Sequence, residues 1–107
     1  MSQKLTLNVV TPEKQLVSEE VDQVNAPGSE GDFGILYDHA PFLTNLRSGQ
    51  LSYENNGETT ALVIGGGYLE VTENRVTILA ETGEFLNEID RERAQLARSE
   101  AEEKLSN

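Results

Sequence analysis

The chain contains no cysteine. Disulfides, thiolate metal sites and cysteine nucleophiles are therefore excluded, and a reducing compartment fits. Basic residues are scarce: 8 Lys and Arg stand against 19 Asp and Glu, a net charge of −11. A phosphate backbone needs a basic face, so nucleic acid is not expected as a partner. Contact with anionic headgroups is disfavoured for the same reason. Long apolar runs are missing too. The longest, counting glycine, is Ala61 to Leu69, far short of the ~20 residues that span a bilayer. No direct membrane insertion is expected, and Met1-Ser2-Gln3-Lys4 leads straight into an alternating segment without a leader pattern. Internal repeats, low-complexity tracts and a strand–long helix–strand rhythm are also absent, which argues against a parallel α/β sheet.

What is present fits one domain plus a short appendage in 107 residues, with 36% hydrophobic residues, enough for one modest core. Leu5, Leu7 and Val9 alternate with polar residues as on a strand, until Pro12 breaks the ladder. Leu16-Val17 resumes. Val21, Val24 and Ala26 mark a further strand whose odd spacing predicts a β-bulge. Pro27 to Gly34 reads as a turn-rich loop, Ile35-Leu36 as a short strand, and Tyr37-Asp38-His39 as a turn. Phe42, Leu43 and Leu46 are expected to supply core. Leu51 to Glu54 and Thr60 to Ile64 flank the hairpin turn Asn55-Asn56-Gly57-Glu58. A second hairpin joins Tyr68–Val71 to Val76–Ala80 through Thr72-Glu73-Asn74-Arg75. Short strands with frequent turns indicate an antiparallel β-sandwich or barrel.

The pattern changes near Asn87, which predicts a β-sandwich over 1–86 and a helical tail over 87–107. The tail is rich in good helix formers, and Asn87 or Asp90 can cap it. Ala94, Ala97, Ala101 and Leu105 share one face, with Ile89 and Leu96 nearby. So little apolar surface is marginal alone, so the helix should dock on the body or on a partner. Charge divides along the same boundary: 13 acids and 4 bases lie in residues 1–87, against 6 and 4 in residues 88–107.

Catalytic patterns are weak. His39, the single histidine, adjoins Asp38, with Glu30 and Asp32 a few residues earlier, but metal-ligand spacing is lacking. No Gly-x-Ser-x-Gly elbow occurs. Gly28, Gly31 and Gly34 do not form the dinucleotide fingerprint, and no helix follows them. Gly65-Gly66-Gly67 lacks the Lys-Ser/Thr of a P-loop and reads as a strand bend where another backbone comes close. Paired carboxylates are plentiful, yet nothing local marks one as a general acid. The residues alone predict a small non-catalytic β module that works by docking into a larger assembly. A free-standing β-sandwich that binds a ligand is the alternative, and a small hydrolase using Glu30, Asp32 and His39 is a third reading.

The stretch Gly28-Ser29-Glu30-Gly31-Asp32-Phe33-Gly34-Ile35-Leu36-Tyr37-Asp38-His39-Ala40-Pro41-Phe42-Leu43-Thr44 resembles the signature of the epsilon subunit of F-type ATP synthases. Leu5 to Thr11, Gly66 to Val71 and Val76 to Ala80 extend the likeness, which reaches about Lys104. The resemblance implies an N-terminal β-sandwich, a helical tail, and no required cofactor. It implies a non-catalytic place in the central rotor stalk, between the gamma subunit and the c-ring, coupling the catalytic head to ion flow during ATP synthesis. Through the tail it implies contact with the head and control of ATP hydrolysis. The site would lie peripherally on the cytoplasmic face of the membrane. Family likeness places Glu30 and Asp32, with His39 close by in sequence, at the ring or gamma interface. Ile89-Asp90-Arg91-Glu92-Arg93-Ala94 is similar to a motif that binds ATP in some bacterial members. That gives Ile89, Asp90, Arg93 and Ala94 as nucleotide-binding candidates, with Arg93 pairing with phosphate. An ordinary capped helix start, with Ile89 as a staple, explains the same residues. Most bacterial members continue into a second helix that completes the ATP site. This chain ends at Asn107, as a short member or one cut within its tail, so weak ATP binding at most is expected.

Overall fold

A computed structural model describes residues 3–89. Eight strands form in order: β1 (Leu5–Val10), β2 (Gln15–Val21), β3 (Gln23–Gly28), β4 (Gly31–Leu36), β5 (Phe42–Asn55), β6 (Glu58–Thr72), β7 (Arg75–Ala80) and β8 (Gly83–Phe85). A helix begins at 86–89. Asn87 therefore lies inside the first turn rather than at its cap. The rest of the expected tail, with Asp90, Arg93 and Ala94, lies outside the described residues.

Two long strands make one hydrogen-bonded sheet into two layers. β5 and β6 pair along their whole length, from Phe42↔Val71 to Asn55↔Glu58. The far end of β6, from Gly67 to Thr72, pairs with β7, and β7 pairs with β1, which pairs with β2. The near half of β6 pairs instead with β8, while β5 pairs with β3 and β3 with β4. All ladders are antiparallel except β1–β7. A strand pair this long must bend between the layers, and Gly65-Gly66-Gly67 is where it does so. Gly66 has φ +85° and Gly67 φ +141°. A Cβ on Gly67 would lie 2.0 Å from the Leu79 carbonyl oxygen, and one on Gly65 would lie 2.2 Å from Thr82 Oγ1. The close backbone approach expected for this triplet is thus present.

The inner faces of both layers close on one core. Leu5, Leu7, Val9, Leu69, Val71, Val76 and Ile78 come from the first layer, and Val24, Ala26, Ile35, Leu51, Leu62 and Ile64 from the second. Each fully buried side chain of this size is worth about 1.5–3 kcal/mol relative to exposure. Tyr53 is also buried in this core. Burial is the main force raising its pKa, and the nearby Glu19 carboxylate of β2 adds to it. At one end Lys4 Nζ reaches Asp22 Oδ1 at 2.9 Å and Asn55 Oδ1 at 2.6 Å. The Asn56 amide donates to Asp22 Oδ2 at 2.8 Å. This clamp fixes the start of β1, the β2–β3 junction and the β5–β6 turn together.

Three expectations change. Val21 and Val24 are both fully buried but belong to different strands, because the chain turns at Asp22 and passes from one layer to the other. No bulge is needed between them; an irregularity falls instead between Asn25 and Gly28, opposite β5. Pro27–Gly34 is not a loop. It forms the β3–β4 hairpin, paired Pro27↔Asp32 and Gly28↔Gly31, with Ser29 and Glu30 at its turn. The Ile35-Leu36 strand is the end of β4. Finally, Leu46 is buried, but Phe42 and Leu43 are 41% and 68% exposed. Leu43 falls on the outer face of the alternation, and Phe42 lies at the strand's beginning, beyond the closed core. Both predicted two-residue hairpins are present. Asn56 and Gly57, and Glu73 and Asn74, all have positive φ, as turns matched to strand twist require.

Candidate docking site

Two surfaces stand out on this body. The first is the β3–β4 hairpin. Glycines shape its tip: a Cβ on Gly28 would lie 2.7 Å from both the Gly31 carbonyl and the Phe33 ring. Ser29 N–H donates to the Asn45 carbonyl at 3.2 Å, tying the tip to β5. Glu30 and Asp32 are both exposed. They differ in company, because Arg47 of β5 forms an ion pair with Asp32, whereas among the described residues no ion pair or hydrogen bond holds the Glu30 carboxylate.

His39 belongs to the next turn, between β4 and β5. Its Nδ1–H donates to the Ala40 carbonyl at 2.7 Å. Its ring packs edge-on against Phe42 at 5.9 Å, and Phe42 packs against Phe33 at 5.4 Å. The turn is braced from the β6–β7 turn, where Asn74 Oδ1 accepts the Asp38 amide at 2.6 Å. Among the described residues no hydrogen bond joins His39 to Glu30, Asp32 or Asp38, and no three acidic or histidine side chains gather as metal ligands. The three residues grouped for the hydrolase reading therefore fall into two places: two acids on a hairpin and one histidine in an aromatic stack.

The second surface was not among the sequence candidates. Pairing places Val10 opposite Leu79, and Leu79 opposite Tyr68. Tyr68 lies opposite Asn45, two residues along β5 from Leu43 and on the same face. Tyr68 is 58% and Leu79 54% exposed. Val10, Leu79 and Tyr68 form an apolar row across three strands on the outer face of the first layer, with Leu43 diagonal to Tyr68 on β5. Exposed apolar side chains that cluster mark contact sites, whereas scattered ones carry no message. A signal was present in the sequence: Tyr68 and Leu79 occupy polar positions of otherwise regular alternations. Their adjacency depends on which strands pair.

Ile89 lines a cleft of about 570 Å³ with Thr11, Lys14, Val63, Thr82 and Glu84. It is half-buried against the body, as a staple would be. Among the described residues no helix is long and apolar enough to cross a membrane.

A braced β-sandwich with an acidic hairpin and an outward apolar row is a docking module. The family described as ATP synthase, Delta/Epsilon chain, beta-sandwich domain matches residues 4–85. This chain belongs to that family. The ATP synthase epsilon chain of Nitratidesulfovibrio vulgaris is 47% identical over 106 residues, covering 99% of this chain and 79% of the relative. That of Geotalea daltonii is 49% identical over 105 residues, covering 98% and 76%. Among solved structures, a chain of the Euglena gracilis mitochondrial ATP synthase OSCP/F1/c-ring assembly superposes with a TM-score of 0.78 at 28% identity, over 97% of this chain and 67% of that one. A chain of the Tetrahymena thermophila central stalk and c-ring shares the fold, with a TM-score of 0.67 at 20% identity over 78% of this chain and 67% of that one.

Proposed function

We propose that this chain is a non-catalytic subunit of the central rotor stalk of an F-type ATP synthase. In this reading it couples the catalytic head to the c-ring during ion-driven ATP synthesis and regulates ATP hydrolysis. The observation that carries it is the apolar row Val10–Leu79–Tyr68 with Leu43, on a body whose relatives are ATP synthase epsilon chains. A row of this kind favours burial against another protein, and the gamma subunit is the partner assigned to it. The acidic β3–β4 hairpin is assigned to the polar, basic loops of the c-ring. Exposed ion pairs are worth only ~0.2–1 kcal/mol each, so the hairpin serves orientation and register more than affinity. The helical tail is assigned the contact with the head. The subunit needs no cofactor, binds ATP weakly at most, and sits peripherally on the cytoplasmic face through its partners.

Co-purification tests the reading. The full chain should capture the gamma subunit, and Tyr68→Arg with Leu79→Arg should abolish capture while leaving the thermal transition in place, since both side chains are exposed. Undiminished capture by that variant would remove the apolar row from the interface. A failure of the parent chain to capture gamma would overturn the assignment itself.

A further inference from the structure

We propose that Asn56-Gly57, in the β5–β6 turn, is a site of covalent modification by deamidation, kept latent by the Lys4–Asp22 ion pair for as long as the turn stays closed. No other asparagine in the chain is followed by glycine. That step is the reactive one, because a glycine nitrogen has no side chain beside it to hinder attack on the asparagine amide. Asn56 is exposed, and nothing lies within 4 Å of a Cβ added to Gly57. Among the described residues no backbone carbonyl accepts the Gly57 N–H. Water and solvent base therefore reach the reacting atoms.

The closed turn nevertheless forbids the reaction. Ring closure needs the Gly57 nitrogen on the same side of the Asn56 Cα–C bond as Cβ. Asn56 has φ +53°, in the left-handed region where ψ is about +47°, and there the nitrogen points nearly opposite to Cβ. The turn must open before Cγ can be attacked, and the clamp opposes opening. The Asn56 N–H donates to Asp22 Oδ2 at 2.8 Å. Lys4 Nζ donates to Asn56 Oδ1 at 3.0 Å and Asn55 Oδ1 at 2.6 Å, and pairs with Asp22 Oδ1 at 2.9 Å. The Asn56 amide first, and then Lys4, hold the Asp22 carboxyl below its usual pKa, so it is charged throughout the neutral and alkaline range in which deamidation runs.

Once the turn opens, solvent base takes the Gly57 N–H proton and the nitrogen's electron pair bonds to Asn56 Cγ. The Cγ–Nδ2 bond breaks, and the amide nitrogen leaves as ammonia with a proton returned by water. Water then adds to one carbonyl of the five-membered imide and opens it. The product is aspartate, or isoaspartate with the chain rerouted through the side chain. Either adds a carboxylate near Asp22. Isoaspartate also lengthens the two-residue loop between Asn55 and Glu58 by a methylene, so that product cannot reclose the turn.

Peptide mapping by mass spectrometry tests this on the full chain, folded and in urea at mildly alkaline pH. In urea Asn56 should convert ahead of every other asparagine. In the folded chain only the open fraction reacts, so the slowing should match the hydrogen-exchange protection of the Glu58 amide within about threefold, and be smaller than that of Ile78 in the core ladder. Lys4→Ala should speed the folded reaction roughly two- to fivefold, the range of an exposed ion pair. Asp22→Ala also removes the acceptor of the Asn56 amide and should speed it about tenfold or more. In urea both variants should match the parent. If Asn56 does not lead the other asparagines in urea, there is no such site. A slowing equal to the protection of Ile78 means that only global unfolding exposes Asn56, and overturns the local gate. Unchanged folded rates in both variants overturn it as well. So does a slower Lys4→Ala variant, since the ammonium would then be activating the amide instead of restraining it.

Discussion

Replacing Gly67 with alanine should be among the most damaging single-methyl changes available in this protein. The residue sits at φ +141°, a region nearly closed to residues with a Cβ, at a cost of about 1–3 kcal/mol. The new methyl would also lie 2.0 Å from the Leu79 carbonyl oxygen and 2.9 Å from the Ala80 Cα. Those are backbone atoms of β7, so no side-chain rotation relieves the contact, and forced overpacking typically costs a further ~1–3 kcal/mol. Together the loss should be about 2–6 kcal/mol, against a total of about 5–15 kcal/mol for a domain. Thermally that means a fall in Tm of at least about 8 °C. Gly31→Ala is the control. Its φ is +139°, yet nothing lies within 4 Å of an added Cβ, so it should show the backbone cost alone, about 1–3 kcal/mol. Urea unfolding of the two variants and the parent separates the terms. If Gly67→Ala is no worse than Gly31→Ala, the close approach of β6 to β7 at Gly67 yields to a methyl and is not the tight bend described. If it falls within about 0.5 kcal/mol of the parent, both terms are refuted.

Tyr53, whose pKa is raised above 10.0 chiefly by burial, should contribute stability that is whole below pH ~10 and declines as pH rises through that value, because the unfolded chain releases the phenol proton first. Tyr53→Phe should flatten that alkaline limb in urea titrations, and an unchanged limb would place the effect elsewhere. Deletion of residues 88–107 should leave a cooperative thermal transition, since the buried core ends at Ala80; loss of the transition would make the tail part of the core. Calorimetry should detect weak ATP binding or none, and micromolar binding lost in Arg93→Ala would show that the residues before Asn107 suffice.

Strand alternation in Leu5–Val9 selected Leu5, Leu7 and Val9 as inward residues, and all three are buried in the fold, because a period of two leaves a strand only two faces. The turns at Asn56-Gly57 and Glu73-Asn74 were legible from local turn chemistry, and the glycine triplet announced a bend. The signature from Gly28 to Thr44 is local enough to carry the family likeness by itself. Other features depend on pairing across distance. Whether Val21 and Val24 share a strand is decided by the crossing at Asp22, which local spacing cannot distinguish from a bulge. That Phe42 and Leu43 lie outside the core follows from where β5 begins relative to the closed layers. The apolar row with Leu43 needs β1, β7, β6 and β5 side by side, a strand order that no single segment encodes. The sequence contained both hairpin acids as equals; only the tertiary structure brings Arg47, fifteen residues beyond Asp32 in the chain, to one of them and not the other.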